Sequence, residues 1–320
     1  MLSGHTDVVP VAGQDWTVPA FSMTRRDGKV FGRGTADMKG FIASMMTAAR
    51  KASSQNLKTP LHLALSYDEE VGCIGVRSMI DMLSNAPIRP QMCIVGEPTG
   101  LSVATGHKGK IAARVKCIGL AGHSALAPFA VNALYLANDF ITELRKLQDT
   151  LRLGPIQDPD YDVPYTTLHV GRIKGGGALN IVPHLCELDF EIRNLAQDDA
   201  TKIFNNLTHT ARSISLEAQN IAPEANIEIE VFNTYPGLDT GSNEPVVGFV
   251  KSLMGANGTI KVAYGTEGGL FDQRLGVPTV VCGPGDMAQG HKPDEFITET
   301  QLAACDTMLQ NLLQRLIIGL

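Results

Sequence analysis

Short apolar runs alternate with stretches of helical period over the first hundred residues. Residues 38–52 carry apolar side chains at helical spacing after a glycine-rich turn, 61–67 read as a strand, 76–83 as a second helix and 92–95 as a buried strand. Strands and helices in alternation predict βαβ units around a mostly parallel sheet. The same texture returns near the other end, where 276–283 read as a strand and Glu299–Ile318 as a helix. Residues 1–106 and 234–320 are therefore expected to form one discontinuous α/β domain.

Residues 107–233 have a different rhythm. Strands are expected at 111–118, 166–170, Leu185–Arg193 and 227–232, separated by helices near 131–148 and 201–219. Four strands and two helices in that order predict an inserted α+β domain of ferredoxin-like pattern. The Pro- and Asp-rich stretch 154–164 reads as a loop inside this domain. The chain shows no internal repeat.

Composition narrows the class of partner. With 44% hydrophobic and 19% charged residues the chain has the make-up of a globular protein rather than a disordered one. A formal net charge of -6 argues against nucleic acid, whose binders carry a basic face. No run approaches the length of a membrane span and no basic-then-apolar leader opens the chain, so no membrane partner is expected and the default compartment is the cytoplasm. The six cysteines form no CxxC pair and are expected as small apolar core residues, which excludes a cysteine-ligated zinc ribbon.

The chemistry is carried by His and carboxylate residues near strand ends. His5 and Asp7 stand two apart in an expected strand, so both point to one face. That suits a metal-ligating His5 whose second ring nitrogen is oriented by Asp7; the alternative is a turn at a strand end. Asp37 sits in the segment 32–40, GRGTADMKG, as a presented carboxylate or as a helix cap. Asp68, Glu69 and Glu70 follow a strand together, which a solvated loop tolerates and a cation stabilises. Glu97 and His291 also follow strands, and open α/β sheets place their sites at the carboxyl ends of strands.

Charge counting points the same way. Two Zn²⁺ ions bring four positive charges, which Asp37, Glu70, Glu97 and one hydroxide would balance, with His5 and His291 as neutral donors. Glu69 is left over to carry a proton. Two such ions, roughly 3.5–4 Å apart, polarise a carbonyl and acidify water, so the chemistry implied is hydrolysis.

Together these segments resemble the aminoacylase and carboxypeptidase-like metallopeptidases and, within them, the acetylornithine deacetylases. The resemblance runs over nearly the whole chain and rests on SGHTDVVP at 3–10, GRGTADMKG, DEE at 68–70, GEPTG at 96–100, GHKG at 106–109, GHSALAP at 122–128, VNAL at 131–134, ALNIVP at 178–183, FEIR at 190–193, GTEGG at 265–269 and GPGDMAQGHKPDE at 283–295. It implies two Zn²⁺ per subunit, or Co²⁺ in their place, with His5, Asp37 and Glu97 on one ion and Asp37, Glu70 and His291 on the other. It also implies Glu69 as general base and then general acid.

The inserted domain is, by the same resemblance, a lid that mediates homodimerisation. His123 then matches a histidine that stabilises the oxyanion in a neighbouring active site, against a loop histidine bonded to backbone. Arg193 matches the residue that holds the substrate's α-carboxylate, against a structural ion pair with a nearby acid. Asn180 contacts substrate or closes a turn. Glu267, in YGTEGG, is a candidate to face the free ammonium of an ornithine side chain.

The substrate implied is a small N-acyl amino acid, N2-acetyl-L-ornithine, hydrolysed to ornithine and acetate in arginine biosynthesis. Other readings are a desuccinylase, an aminoacylase, a dipeptidase, or a truncated relative that binds or dimerises without catalysis. The family carries a first helix and further sheet strands ahead of the His-x-Asp strand, whereas this chain starts almost at it. A fragment or a shortened product is expected, with an unpaired sheet edge.

Overall fold

The computed structural model describes residues 1–320, which fold as two compact units, Met1–His107 with Pro236–Leu320, and Lys108–Tyr235. The first is built on a seven-stranded sheet. Its strands run in the order Leu238–Asp239, Ala104–His107, Thr279–Gly283, Cys93–Pro98, Leu2–His5, Leu63–Ser66, with Ile260–Val262 also paired to Ala104–His107. Leu2–His5 lies parallel to both Leu63–Ser66 and Cys93–Pro98, and Thr279–Gly283 lies parallel to Cys93–Pro98. The carboxyl ends of these four strands therefore share one edge of the sheet.

Helices cover the parallel strands, which is why Cys93–Pro98 is buried along its whole length. Gly40–Ala52 turns Phe41, Met45 and Ala48 inward, and Glu299–Ile318 turns in Cys305, Met308, Leu309, Leu312, Leu313 and Leu316. Both sets follow the three-and-four spacing of one helical face. Thr298 caps the second helix by accepting the Gln301 N–H at 3.2 Å. At the other end of the sheet Leu63–Ser66 has a partner on one side only, and Leu65 there is 42% exposed.

Several boundaries differ from the sequence reading. The helix expected from residue 38 starts at Gly40, because Asp37 and Met38 take non-helical dihedrals in the preceding turn Thr35–Lys39. Asp37 is thus not a helix cap. Glu97, expected beyond its strand, lies within it, since pairing with Thr279–Gly283 extends the strand to Pro98. Asp7, expected in a strand with His5, lies in the loop after it. Helices Pro245–Met254 and Gly268–Leu275 and the small sheet of Thr24–Arg26, Lys29–Phe31 and Phe296–Thr298 were not anticipated.

The second unit runs strand Lys110–Ile118, helix Ala133–Leu153, strands Thr167–Gly175 and Leu185–Arg193, helix Ala200–Ala218 and strand Asn226–Tyr235. Its four strands are antiparallel, with the last beside the first and the first beside the third, which is the ferredoxin-like arrangement. Phe140, Leu144, Leu188, Phe190, Ile192 and Leu207 form the core between helices and sheet. A short ribbon pairs Gly122–His123 with Ile181–Val182. All six cysteines are buried free thiols. No helix is long and apolar enough to cross a membrane.

Candidate metal centre

His5, Asp7, Asp37, Glu69, Glu70, Glu97 and His291 come together at the carboxyl ends of the parallel strands. Asp37 is the hinge of the group. Its Oδ1 lies 3.0 Å from His5 Nε2 and its Oδ2 2.9 Å from His291 Nε2. Glu97 Oε1 approaches His5 Nε2 at 3.6 Å, and Glu70 Oε2 approaches His291 Nε2 at 3.1 Å. Each histidine thus meets Asp37 and one glutamate, and the two histidines do so on opposite oxygens of the same carboxylate.

The loop after Leu2–His5 turns His5 to this position. Its Nδ1 faces the main-chain carbonyl of Asp7 at 3.1 Å and the Asp7 side chain at 3.4 Å. Asp7 reaches across as well, its Oδ2 accepting the N–H of Glu70 at 3.0 Å. Both the His5 ring and the turn that presents Glu70 are therefore held by one aspartate. Glu69 is distinguished by Cys73, whose thiol donates to Oε1 at 3.1 Å.

Ionisation reflects the crowding. Burial alone would make the His5 imidazole less basic, but Glu97, Asp37 and Asp7 outweigh it and hold the pKa far above that of an ordinary histidine. His291 is raised to about 10 by its hydrogen bonds to Asp37 and Glu70. For Asp37 the upward pull of burial is overcome by bonds from His291 and His5, so the pKa is depressed. Asp7 falls to about 2, where the bond from His5 and the N–H groups of Glu70 and Glu69 outweigh burial. Burial drives Glu69 up to about 8, against the pull of His5 and Cys73. Burial and the charge on Asp37 also drive Glu97 well up.

This donor set fits divalent cations. Two donors each about 2.0–2.1 Å from a tetrahedral ion stand roughly 3.3 Å apart, and the four contacts of 2.9–3.6 Å bracket that separation. Ligand atoms of His5, Asp37 and Glu70 lie within 4.8 Å of one another, as do those of His5, Glu69 and Glu97. The buried Oε1 of Glu70 has no hydrogen-bond partner, as expected of a carboxylate arranged for a cation. In a metal-free chain protons on His5 and His291, and on the raised carboxyls of Glu69 and Glu97, offset the clustered charge.

The remaining anticipated residues stand elsewhere. Glu267 belongs to the first unit, just ahead of the helix Gly268–Leu275, and is 1% exposed. Its Oε2 accepts the Ser3 hydroxyl at 3.2 Å while Oε1 has no partner. Burial raises its pKa against the opposing influence of Ser66, His5 and Ser3.

His123, Asn180 and Arg193 belong to the second unit. His123 is exposed, and its Nδ1 accepts the Ala125 N–H at 3.2 Å, which leaves the proton of the neutral ring on Nε2. The Asn180 carbonyl accepts the Ser124 N–H at 3.0 Å in the turn before Ile181–Val182. Arg193 forms a two-point pair with Glu191, at 3.0 and 3.1 Å, and donates to the Tyr235 hydroxyl at 2.8 Å. Sequence reasoning missed Cys73, Gln14, Arg33 and Glu295. Of these only Glu295, four residues after His291 in an acidic pair, carried any signal.

The model of peptidase family M20/M25/M40 matches residues 1–315. An acetylornithine deacetylase of Yersinia pseudotuberculosis is 36% identical over 297 residues, covering 93% of this chain and 74% of the relative. An M20 family metallo-carboxypeptidase, Sso-CP2 from Sulfolobus solfataricus, is similar in structure with a TM-score of 0.78 at 20% identity, over 99% of this chain and 85% of that one. Aminopeptidase PepT from Bacillus cereus gives a TM-score of 0.76 at 20% identity, over 99% and 80%.

Proposed function

The chain belongs to peptidase family M20/M25/M40 and is a metal-dependent amide hydrolase; on that premise we propose that it removes the acetyl group from N2-acetyl-L-ornithine, giving ornithine and acetate, in arginine biosynthesis. The observation that carries the hydrolytic reading is Asp37 shared between His5 and His291, with Glu97 and Glu70 beside them. The choice of substrate is supported by the 36% identical relative named for that reaction and by the segment YGTEGG.

His5, Asp37 and Glu97 would hold one Zn²⁺, and Asp37, Glu70 and His291 a second, with Co²⁺ as a substitute. Bound there, the ions supply Lewis acidity for an amide carbonyl and acidify water. The protein's own residues do the rest. Asp7 keeps Nδ1 of His5 engaged, so Nε2 faces the other donors. Glu69 has Oε1 engaged by Cys73, which leaves Oε2 to take a proton from the attacking water and return it to the departing amine nitrogen. Burial favours the protonated carboxyl, so Glu69 is suited to hold the proton between the two transfers.

Contacts to the substrate are proposed for His123, through its Nε2–H to the developing oxyanion, for Arg193 to the α-carboxylate, and for Asn180. The unpartnered Oε1 of Glu267 is proposed to meet the side-chain ammonium. A homodimer is the proposed assembly.

The test is ornithine release from N2-acetyl-L-ornithine by protein stripped with chelator and then titrated with Zn²⁺ or Co²⁺. N-succinyl-diaminopimelate, acetylmethionine and a dipeptide are run beside it. Metal-dependent turnover selective for acetylornithine is the expected outcome. Preference for another amide would replace the substrate, and metal uptake without turnover of any amide would overturn the catalytic reading.

A further inference from the structure

A buried ion pair joins the two segments that present Asp37 and His291. Arg33 Nη1 donates to Glu295 Oε2 at 2.6 Å, with the side chains 1% and 0% exposed. The other oxygen of Glu295 accepts the main-chain N–H groups of Ala36 at 2.9 Å and Asp37 at 3.1 Å. On its far side Arg33 Nη2 donates to Gln14 Oε1 at 2.5 Å, and Gln14 Nε2 donates to the main-chain carbonyl of His291 at 3.1 Å. Trp16 reinforces this end, its Nε1 donating to Gln14 Oε1 at 3.0 Å and its ring lying 5.1 Å from the Arg33 guanidinium carbon.

These bonds close a circuit. It leaves the backbone of Asp37, passes through Glu295, Arg33 and Gln14 to the backbone of His291, and returns through His291 Nε2 and Asp37 Oδ2 at 2.9 Å. None of the three linking side chains touches the donor atoms themselves. A buried ion pair is weak evidence for stability, because desolvation offsets most of its attraction. Asp37 and its neighbour Met38 have non-helical dihedrals, and His291 has a positive φ of 60°, so neither segment is held by regular structure.

From this we infer that Arg33, Glu295 and Gln14 are positioning residues that fix the separation of Asp37 and His291 before any ion arrives. The inference rests on the two-ion reading above and deepens it. Asp37 serves both ions, but the Gln14 end of the circuit rests on His291 and so governs one ion of the two, the one that Asp37, Glu70 and His291 would hold. His5 and Glu97 stand on strands of the sheet and do not depend on it.

Gln14 is the link to test, since it is only partly buried and its loss strands no buried charge. Gln14→Ala removes the bonds to both Arg33 and His291. Gln14→Glu keeps an acceptor for Arg33 and Trp16 but cannot donate to the His291 carbonyl. Zn²⁺ is titrated calorimetrically into chelator-stripped wild type and both variants, and the melting temperature of each stripped protein is recorded. Both variants are expected to bind one ion as the wild type does and the other about 10–100-fold more weakly, with little change in melting temperature.

Two ions bound with wild-type affinity by both variants would overturn the inference alone. Equal weakening of both ions together with a lowered melting temperature would also overturn it, by showing a general structural role. A wild type that takes up no Zn²⁺ would overturn the two-ion reading and this inference with it.

Discussion

His291 Nε2 lies 2.9 Å from Asp37 Oδ2, on the carboxylate whose other oxygen faces His5. One side chain therefore serves both halves of the centre. Asp37→Asn keeps the shape but turns one of those oxygens into a donor that opposes a metal ion. Zn²⁺ stoichiometry measured on the stripped and reloaded variant is expected to fall from two to one or none, with turnover falling by at least about 100-fold. Wild-type stoichiometry would show that Asp37 is not shared.

Glu69 differs from its neighbour by what it touches. Its carboxylate is tied to Cys73, whereas that of Glu70 meets His291. Glu69→Gln is expected to lower kcat by about 10²–10⁴-fold, the range for loss of a general acid–base, while Zn²⁺ stoichiometry stays at the wild-type value. A parallel loss of metal would make Glu69 a ligand.

In the metal-free protein, protons occupy the place of cations. His291 is raised to about 10 from an ordinary 6.5, so its contribution to stability is full below pH 6.5 and is lost as pH rises through about 10. Asp7, lowered to about 2 from 3.8, contributes above pH 3.8 and loses that contribution as pH falls through about 2. The melting temperature of stripped protein is therefore expected to decline between pH 7 and 10. Loading Zn²⁺ at pH 7.5 is expected to release about three protons, from His5, His291 and Glu97, because ligating imidazoles must be neutral and ligating carboxylates ionised. Calorimetry in buffers of different ionisation enthalpy counts them, and zero would contradict the protonated groups.

Glu267 gives a test of substrate choice. Glu267→Gln is expected to raise KM for acetylornithine about tenfold or more and to leave KM for acetylmethionine nearly unchanged, a difference on the scale of one charge-assisted hydrogen bond. Equal effects on both substrates would remove Glu267 from recognition and leave it as a buried partner of Ser3.

The strand that carries Glu97 is fixed by close packing. A Cβ added at Gly96 would lie 1.9 Å from the Phe41 ring, and one at Gly283 would lie 2.0 Å from the Gly96 carbonyl oxygen. Gly96→Ala is expected to cost about 1–3 kcal/mol, the range for overpacking, and Phe41→Leu in the same chain to recover part of it. Denaturant unfolding of the stripped proteins measures both. An undisturbed midpoint in Gly96→Ala would mean that the strand shifts freely.

The α/β texture and the ferredoxin-like unit were legible because their strands and helices carry long runs of one period. Fully buried strands such as Cys93–Pro98 read as continuous apolar stretches, and Leu185–Arg193 alternates cleanly. Thr24–Arg26 and Lys29–Phe31 did not show, being three residues each with few apolar positions. The helix Gly268–Leu275 opens on two glycines, which argue against a helix locally; Gly269 is needed because a Cβ there would lie 2.5 Å from the Pro236 carbonyl oxygen. His5, Asp37, Glu69, Glu70, Glu97 and His291 were legible as acids and histidines near strand ends. The Arg33–Glu295 pair was not, since its partners lie 262 positions apart and only tertiary packing joins them.

The donors that meet on Asp37 come from residue 5 and residue 291, and the strand Thr279–Gly283 is needed to flank the one carrying Glu97. A chain growing on the ribosome therefore holds most of the ligands long before it holds the centre. Until the segment carrying His291 and Glu295 has emerged, Asp37 has one histidine instead of two, and the Arg33–Glu295 clasp has no second half. The donors of one ion, His5, Asp37 and Glu97, thus emerge early, whereas the other ion would wait for the distant segment that brings His291.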